Sequence, residues 1–325
     1  MATYKQIYGT NVEVLASDPS NPLEGQIWYN STSQTLKGYA LVAGSWATSG
    51  PLNTGRNSLA GAGIQTAALA FGGAAGPVYV GNTESYNGTS WTELNDLNTA
   101  RTGLAGAGAT NTAALAFGGF FTGYLGETES WNGSTWTELN NLNTIRNQLA
   151  GTGTNTAALA FGGQPDLGGA TAVNESWNGT SWTELNDLNK ARRLLAGAGT
   201  NTAALAFGGY EPTPANDAVA FTESWNGTSW TAVNALNNAR YAPGGDGTNT
   251  AALTFGGTSP STPAAATETW NGTAWTVVNN LNTARSFLAG AGTNTAGLAF
   301  GGSPNLASTE EWSGPAVQTV NITVS

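Results

Sequence analysis

The chain has 325 residues, only 9% of them charged, with 45 glycines, 12 tryptophans and a formal net charge of −10. It contains no cysteine and no histidine. That inventory excludes disulfide frameworks, thiolate nucleophiles, Ser-His-Asp triads and histidine- or cysteine-based zinc sites. The acidic balance and the lack of any Lys/Arg run argue against binding to nucleic acid or to an anionic membrane surface. No stretch approaches the ~20 apolar residues of a membrane-spanning helix, so no membrane insertion is expected. The first fifteen residues lack the basic start and apolar run of a signal peptide, which points to synthesis in a cytoplasm. No cofactor and no metal site is expected.

Residues 1–24 form a non-repeating arm in which Asp18-Pro19 and Asn21-Pro22 read as turns. A β-hairpin follows: Gln26–Tyr29, a turn at Asn30–Ser33, then Thr35–Tyr39. The segment N-P-L-E-G-Q-I-W-Y-N-S-T-S-Q-T-L-K, residues 21–37, resembles a short hairpin found in tail and fibre proteins of tailed bacteriophages. Residues 25–49 are expected to contribute to closing the architecture that occupies 50–325.

From residue 50 onward one unit recurs six times. Its anchors are the Phe-Gly-Gly triplets beginning at Phe71, Phe117, Phe161, Phe207, Phe255 and Phe300, spaced 46, 44, 46, 48 and 45 residues apart. A fixed period of this size means an array of equal supersecondary units. Each unit reads as four short strands, a to d. Strand a is small and apolar (Ala-Gly-Ala-Gly), and strand b is Ala-Ala-Leu-Ala-Phe or a close variant. Strands c and d carry the aromatics of a Trp-Asn-Gly-x-x-Trp hairpin, with Tyr86 in place of the first Trp in the first unit. Asn-Gly favours a type I′ turn between them, and each aromatic pair is expected to sit cross-strand and face the next unit. A helical reading fails, because two interior glycines per strand a would cost about 1 kcal/mol each. Four-stranded units at this period are the pattern of β-propeller blades. Small residues in strand a then suit innermost strands crowded around a channel.

The unit resembles the Kelch repeat. Kelch units carry an Arg before strand a, a Gly-Gly after strand b, a Glu and an aromatic on strand c, and a Trp on strand d. Here the first place holds Arg56, Arg101, Arg146, Arg192, Arg240 and Arg285. The Glu place holds Glu84, Glu129, Glu175, Glu223, Glu268 and Glu310. The resemblance spans about residues 50–315 and implies a six-bladed, all-β propeller. Trp46 stands ten residues before Arg56, as Trp91 does before Arg101, so Trp46 is in strand-d register. Val317–Val324 alternates like a d strand and competes with it to complete the last blade. The termini are expected to meet in the sixth blade; a partial seventh blade from residues 26–48 is the alternative.

Strand direction alternates, so the a–b and c–d turns share one end of the units and the b–c and d–a connections share the other. The a–b and c–d turns are nearly identical in every unit. The b–c loops differ, and they carry Tyr79, Phe120, Phe121, Tyr124, Tyr210 and Phe221. Diversified loops on a rigid scaffold are where recognition sits. The alternative is that these rings pack back on the blades. The six arginines follow the d–a connection on the same end. In the Kelch resemblance such residues stand near the channel mouth, where a guanidinium ring could hold an anion; the structural alternative pairs each Arg with the Glu of its own unit.

These features lead to the expectation of a non-enzymatic virion protein of the tail or fibre. Its loop end would bind a host-surface glycan or protein, and its N-terminal arm would bind other virion proteins. Two other readings are an architectural decoration or spacer and a carboxylate-dependent glycan-degrading enzyme. Homo-oligomer formation stays open, since no heptad segment specifies one.

Overall fold

A computed structural model describes residues 12–212, 217–259, 262 and 264–323. The start of the expected arm, Val324 of the expected last strand, and parts of the fourth and fifth b–c loops lie outside the described residues. The described chain is all β, with no helix. It divides into two units, one made of 12–44 with 314–323 and the other of Ser45–Ser313.

The small unit is a four-stranded sheet in the order Glu13–Leu15, Ile27–Asn30, Thr35–Val42, Ala316–Asn321. Its middle pair is the predicted hairpin, in antiparallel register with Tyr29 opposite Leu36. Asp18 ties it together. One carboxylate oxygen accepts from Asn30 Nδ2 at 2.7 Å and Trp28 Nε1 at 3.1 Å, and the other accepts from Lys37 Nζ at 2.7 Å. The bond to Lys37, then those to Asn30 and Trp28, lower the Asp18 pKa to about 2.

The large unit contains six four-stranded antiparallel sheets, one per repeat, each in the order a-b-c-d. In the second, strand a is Ala105–Thr110, b is Ala113–Phe117, c is Thr128–Trp131 and d is Trp136–Leu139. Strand b is buried along Ala114–Phe117 because it lies in the middle of a sheet covered on both faces. Strand a of each sheet lies against strand a of the next. The first of these, Ala60–Ile64, also lies against the sixth, Ala289–Gly292.

Two aromatic contacts repeat between neighbouring sheets. The strand-b Phe of one sheet packs on the strand-d Trp of the next: Phe71 on Trp136, Phe117 on Trp182, Phe161 on Trp230, Phe207 on Trp275 and Phe255 on Trp46, then Phe300 back on Trp91, all with ring centroids 4.9–5.1 Å apart. The tip of that Phe explains a glycine in the following strand a. A Cβ at Gly106 would stand 2.7 Å from Phe71 Cζ, and one at Gly151 would stand 2.5 Å from Phe117 Cζ. The small residues of strand a therefore make room for a neighbouring ring, not only for the middle of the assembly.

The strand-d Trp also reaches back. Trp136 Nε1 donates to Thr83 Oγ1 at 2.9 Å, Trp182 to Thr128 at 2.9 Å and Trp275 to Thr222 at 3.0 Å. Trp46 donates to Thr267 and Trp91 to Thr309, each at 3.0 Å. The sixth position breaks the series. Asn174 replaces the threonine, and both Trp230 Nε1 and Asn174 Oδ1 are buried without partners.

Two expectations need correction. The last d strand is Ser45–Ser49, with Trp46 opposite Trp312. The described part of the other candidate does not take that edge; the strand Ala316–Asn321 pairs with Thr35–Val42 in the small unit. Both candidates alternate suitably, but only Trp46 can place an indole between Phe255 and Thr267. The Asn-Gly turns are also not type I′. Four residues separate the paired aromatics, as between Trp131 and Trp136. Only the glycine has positive φ, +92° at Gly133, while Asn132 Oδ1 accepts from the N–H groups of Ser134 and Thr135. This side-chain-capped turn satisfies donors that a two-residue turn would not expose.

The junction of the first and sixth sheets has its own bonds. Tyr86 is fully buried, and its hydroxyl donates to the Glu311 carboxylate beside Ser49. Gln65 Nε2 donates to the carbonyls of Gly297 and Trp312 at 3.0 and 2.7 Å. Burial first, then Glu311, raise the Tyr86 pKa from 10.0 to about 12, with Ser49 opposing.

Two outcomes are expected. Asn174→Thr restores the missing indole acceptor and raises unfolding stability in urea by about 1 kcal/mol; an unchanged or lower stability would show that Trp230 gains nothing from it. Tyr86→Phe loses about 1 kcal/mol at neutral pH. Because the folded pKa of Tyr86 lies above its ordinary value, its contribution is complete below about pH 10 and is lost as pH rises through about 12. The variant's stability should therefore fall less steeply than the native protein's across that interval.

Candidate functional site

The six arginines are fully buried, at 0% exposure. Each pairs with the strand-c Glu of its own sheet: Arg56–Glu84 2.8 Å, Arg101–Glu129 2.7 Å, Arg146–Glu175 3.0 Å, Arg192–Glu223 3.0 Å, Arg240–Glu268 2.6 Å and Arg285–Glu310 3.1 Å. In four of these the contact is also an aligned hydrogen bond; at Arg146 and Arg192 the atoms are close but out of line. Burial pushes every one of these guanidinium pKa values down, and the paired carboxylate pulls it back up. Of the two readings of the arginines, the structural one is what the chain builds. They form no open anion-binding ring, because each charge is already spent on a partner that no solvent separates from it.

The same Glu accepts from the backbone of the incoming connection. Asn53 N–H donates to Glu84 at 2.6 Å, and Asn98 N–H donates to Glu129 at 2.7 Å. The Arg carbonyl continues the chain of contacts into the preceding sheet: Arg101 O accepts from Gly73 N at 2.8 Å. Gly73 has φ +107°, and a Cβ at Gly72 would lie 2.9 Å from Arg101 O, so the Gly-Gly pair is required both by backbone conformation and by close approach.

This anchoring presents the residue two positions after each Arg at the loop end. These residues are Ser58, Gly103, Gln148, Leu194, Ala242 and Phe287, and all have φ between +50° and +62°. Their backbones form a cycle. Gly103 N–H donates to Ser58 O, Gln148 to Gly103, Leu194 to Gln148, Ala242 to Leu194 and Phe287 to Ala242; Ser58 then donates to Phe287 O. All six distances lie between 2.7 and 2.9 Å. Five of the six are not glycine, so the cycle holds them in a left-handed conformation that costs on the order of 1 kcal/mol or more each.

Around that cycle lies a cavity of about 270 Å³. Its base is Leu59, Leu104, Leu149, Leu195, Pro243 and Leu288, and its rim includes the cycle residues with Asn147, Thr102, Tyr79 and Phe120. Among the described residues, none that lines the cavity is charged. The cavity is therefore an uncharged bowl in which leucine side chains meet amide, hydroxyl and backbone groups that make up the larger part of its surface, and it is slightly smaller than typical small-ligand pockets.

The predicted loop aromatics divide into separate groups. Tyr79 and Phe120 meet edge to face at 6.0 Å, and Phe120 meets Tyr124 at 5.5 Å. Of these three, Tyr79 and Phe120 line the cavity. Tyr210 packs on Tyr241 at 5.5 Å under the Arg193 guanidinium, and Tyr241 in turn meets Phe287. Phe121 and Phe221 are exposed, with Lys190 Nζ 5.4 Å from the Phe221 ring centre. Tyr241 and Phe287 were not anticipated. Neither were the other cycle residues, although a signal exists. In Arg-Asn-Ser-Leu, Arg-Thr-Gly-Leu, Arg-Asn-Gln-Leu, Arg-Arg-Leu-Leu, Arg-Tyr-Ala-Pro and Arg-Ser-Phe-Leu, the two middle places vary while their neighbours barely change.

No family model matches the chain, and no curated protein matches it. Among solved structures it is similar to that of YjhT, at 12% identity with a TM-score of 0.65, over 84% of this chain and 96% of the other. At that identity the likeness supports a propeller-like fold and nothing about activity.

Removing one partner of a buried pair strands the other charge. Arg101→Ala should cost about 3–5 kcal/mol in chemical denaturation. The double change Arg101→Met with Glu129→Leu should recover much of that loss. A single variant as stable as the native chain would show that the pair does not anchor the connection.

Proposed function

We propose that the six sheets are the blades of a closed six-bladed Kelch-like β-propeller, and that it is the receptor-binding part of a tailed-phage tail or fibre protein. The propeller attaches to a host-surface glycan or protein through its loop end. The N-terminal segment, which resembles the hairpin of phage structural proteins, connects it to other virion proteins.

The neutral cavity at the loop end carries this reading. Support for ring closure comes from the backbone cycle, the Phe–Trp series and the Trp–Thr series, each of which leads from the sixth sheet to the first. Support for recognition comes from where the repeats differ. The units are near copies at their a–b and c–d turns and along the d–a connection as far as the Arg, and they differ in the b–c loops and at the two places after the Arg, which supply the rim. A rigid scaffold with variable residues gathered around a bowl suits binding. Aromatic rings and amides beside an apolar base suit the C–H face and hydroxyls of an uncharged sugar. The absence of lining charge disfavours acidic sugars, which the arginines do not serve.

The test is binding of the purified chain to whole host cells and to a glycan array, with Phe120→Ala and Leu194→Gly as rim variants. Leu194→Gly suits the local φ and should fold normally. Saturable cell binding lost in both variants is expected. Absence of binding to any host surface, with the chain located in a shell or collar of purified particles, would replace the receptor role by an architectural one.

A further inference from the structure

The bowl at the loop end has two unlike halves. Along the backbone cycle, Ser58, Gly103 and Gln148 follow the arginines of the first three sheets, and Leu194, Ala242 and Phe287 follow those of the last three. The other rim residues divide in the same way. Thr102, Asn147, Tyr79 and Phe120 belong to the first half, and the second half adds Pro243. The first half therefore carries hydroxyl, carboxamide and aromatic groups. The second carries only alkyl and phenyl side chains.

The polar groups of the first half are not spent within the protein. Asn147 Oδ1 and Gln148 Oε1 are enclosed without a hydrogen-bond partner. Ser58 Oγ donates to Asn57 Oδ1 at 2.9 Å, which leaves its lone pairs as acceptors. A carboxamide presents either its oxygen or its NH2 after a half turn, and a hydroxyl can answer either one. Two neighbouring carboxamides without fixed partners thus match a ligand edge that carries adjacent hydroxyls. Gly103, between Ser58 and Gln148, leaves room for it: a Cβ there would meet no atom nearer than 3.5 Å. The second half offers nothing of the kind. The N–H groups of Leu194, Ala242 and Phe287 are taken up by the cycle, and Pro243 has none. A polar group pressed against that side would be left unpaired.

We propose that the bowl takes one ring of a 6-deoxyhexose, an inference that rests on the recognition reading above and narrows it. Such a sugar has its ring hydroxyls along one edge and a methyl group where an ordinary hexose carries CH2OH. The hydroxyl edge meets Asn147 and Gln148, and the ring C–H groups meet Tyr79 and Phe120. The methyl group meets Leu194, Ala242 and Phe287. An acetamido sugar also carries a methyl group, but its amide N–H and C=O would enter the half that has no partners for them. An apolar pocket rejects an isostere with one added hydroxyl by up to about 100-fold, so the preference over the parent hexose lies at roughly 10- to 100-fold.

Ligand-observed NMR titration of the full chain tests this, since a single neutral ring binds on the order of millimolar. The probes are the methyl glycosides of L-rhamnose, L-fucose and D-rhamnose, each with its counterpart L-mannose, L-galactose or D-mannose, together with those of N-acetylglucosamine and N-acetylgalactosamine. At least one deoxy sugar should bind about tenfold or more tightly than its counterpart. Gln148→Leu should abolish binding, and Phe287→Gln should remove the preference while keeping binding. Both variants borrow a residue that the cycle already holds at the same φ, Leu194 at +54° and Gln148 at +53°, so both should fold. Equal binding of a deoxy sugar and its counterpart, tighter binding of an acetamido sugar, no binding of any probe, or a preference that survives Phe287→Gln overturns the proposal. Saturable binding to host cells alongside any of these results would leave the receptor role standing without this ligand. Selective binding of a deoxy sugar without cell binding would keep the sugar site and remove the receptor role.

Discussion

The buried pairing of an arginine ahead of strand a with a glutamate on strand c is the interaction on which the large unit depends. A guanidinium and a carboxylate at 2.6–3.1 Å, neither reached by solvent, hold the d–a connection flat against its sheet. The Glu also accepts from the Asn backbone of that connection, and the Arg carbonyl reaches the Gly-Gly of the preceding sheet. One ion pair thereby locates the connection relative to two sheets. Such a pair contributes less net stability than its Coulomb attraction suggests, because both groups are desolvated. Its effect is geometric, since any other path for the connection would leave a charge buried alone.

Variation is concentrated where that anchoring delivers it. The residue two places after the Arg is forced into a left-handed conformation by its backbone bonds to both neighbours, whatever its side chain. Glycine fills the position only once, so conformational ease alone does not determine the residue there. Serine, glutamine, leucine, alanine and phenylalanine at equivalent points around one bowl make a rim without repeat symmetry on a scaffold that has it. Strand a shows the reverse. Its third residue is alanine in four sheets, and Thr152 and Asp246 are the two departures.

Much of the architecture was legible in the chain. The 44–48-residue period, the Ala-Gly strands, the paired aromatics and the strand-d register of Trp46 all follow from spacing and residue type. The Arg–Glu partnership was legible as one of two alternatives, since matching positions name partners without saying whether solvent lies between them. The turn type was misread because Asn-Gly permits two geometries, and the four-residue separation of the aromatics decides between them. The choice between Trp46 and Val317–Val324 stayed open because alternation describes a strand but does not identify its neighbour; the Thr35–Val42 edge takes Ala316–Asn321.

The sequence by itself determined the repeat, its four strands and the groups that must be satisfied inside each unit, because those depend on contacts within about fifty residues that every copy repeats. Only the tertiary structure decided which edge Trp46 occupies, that the arginines are enclosed, and that six left-handed residues share one cavity with Tyr79 and Phe120. Those facts depend on which surfaces lie against each other between units, and no local pattern of residues encodes that distance.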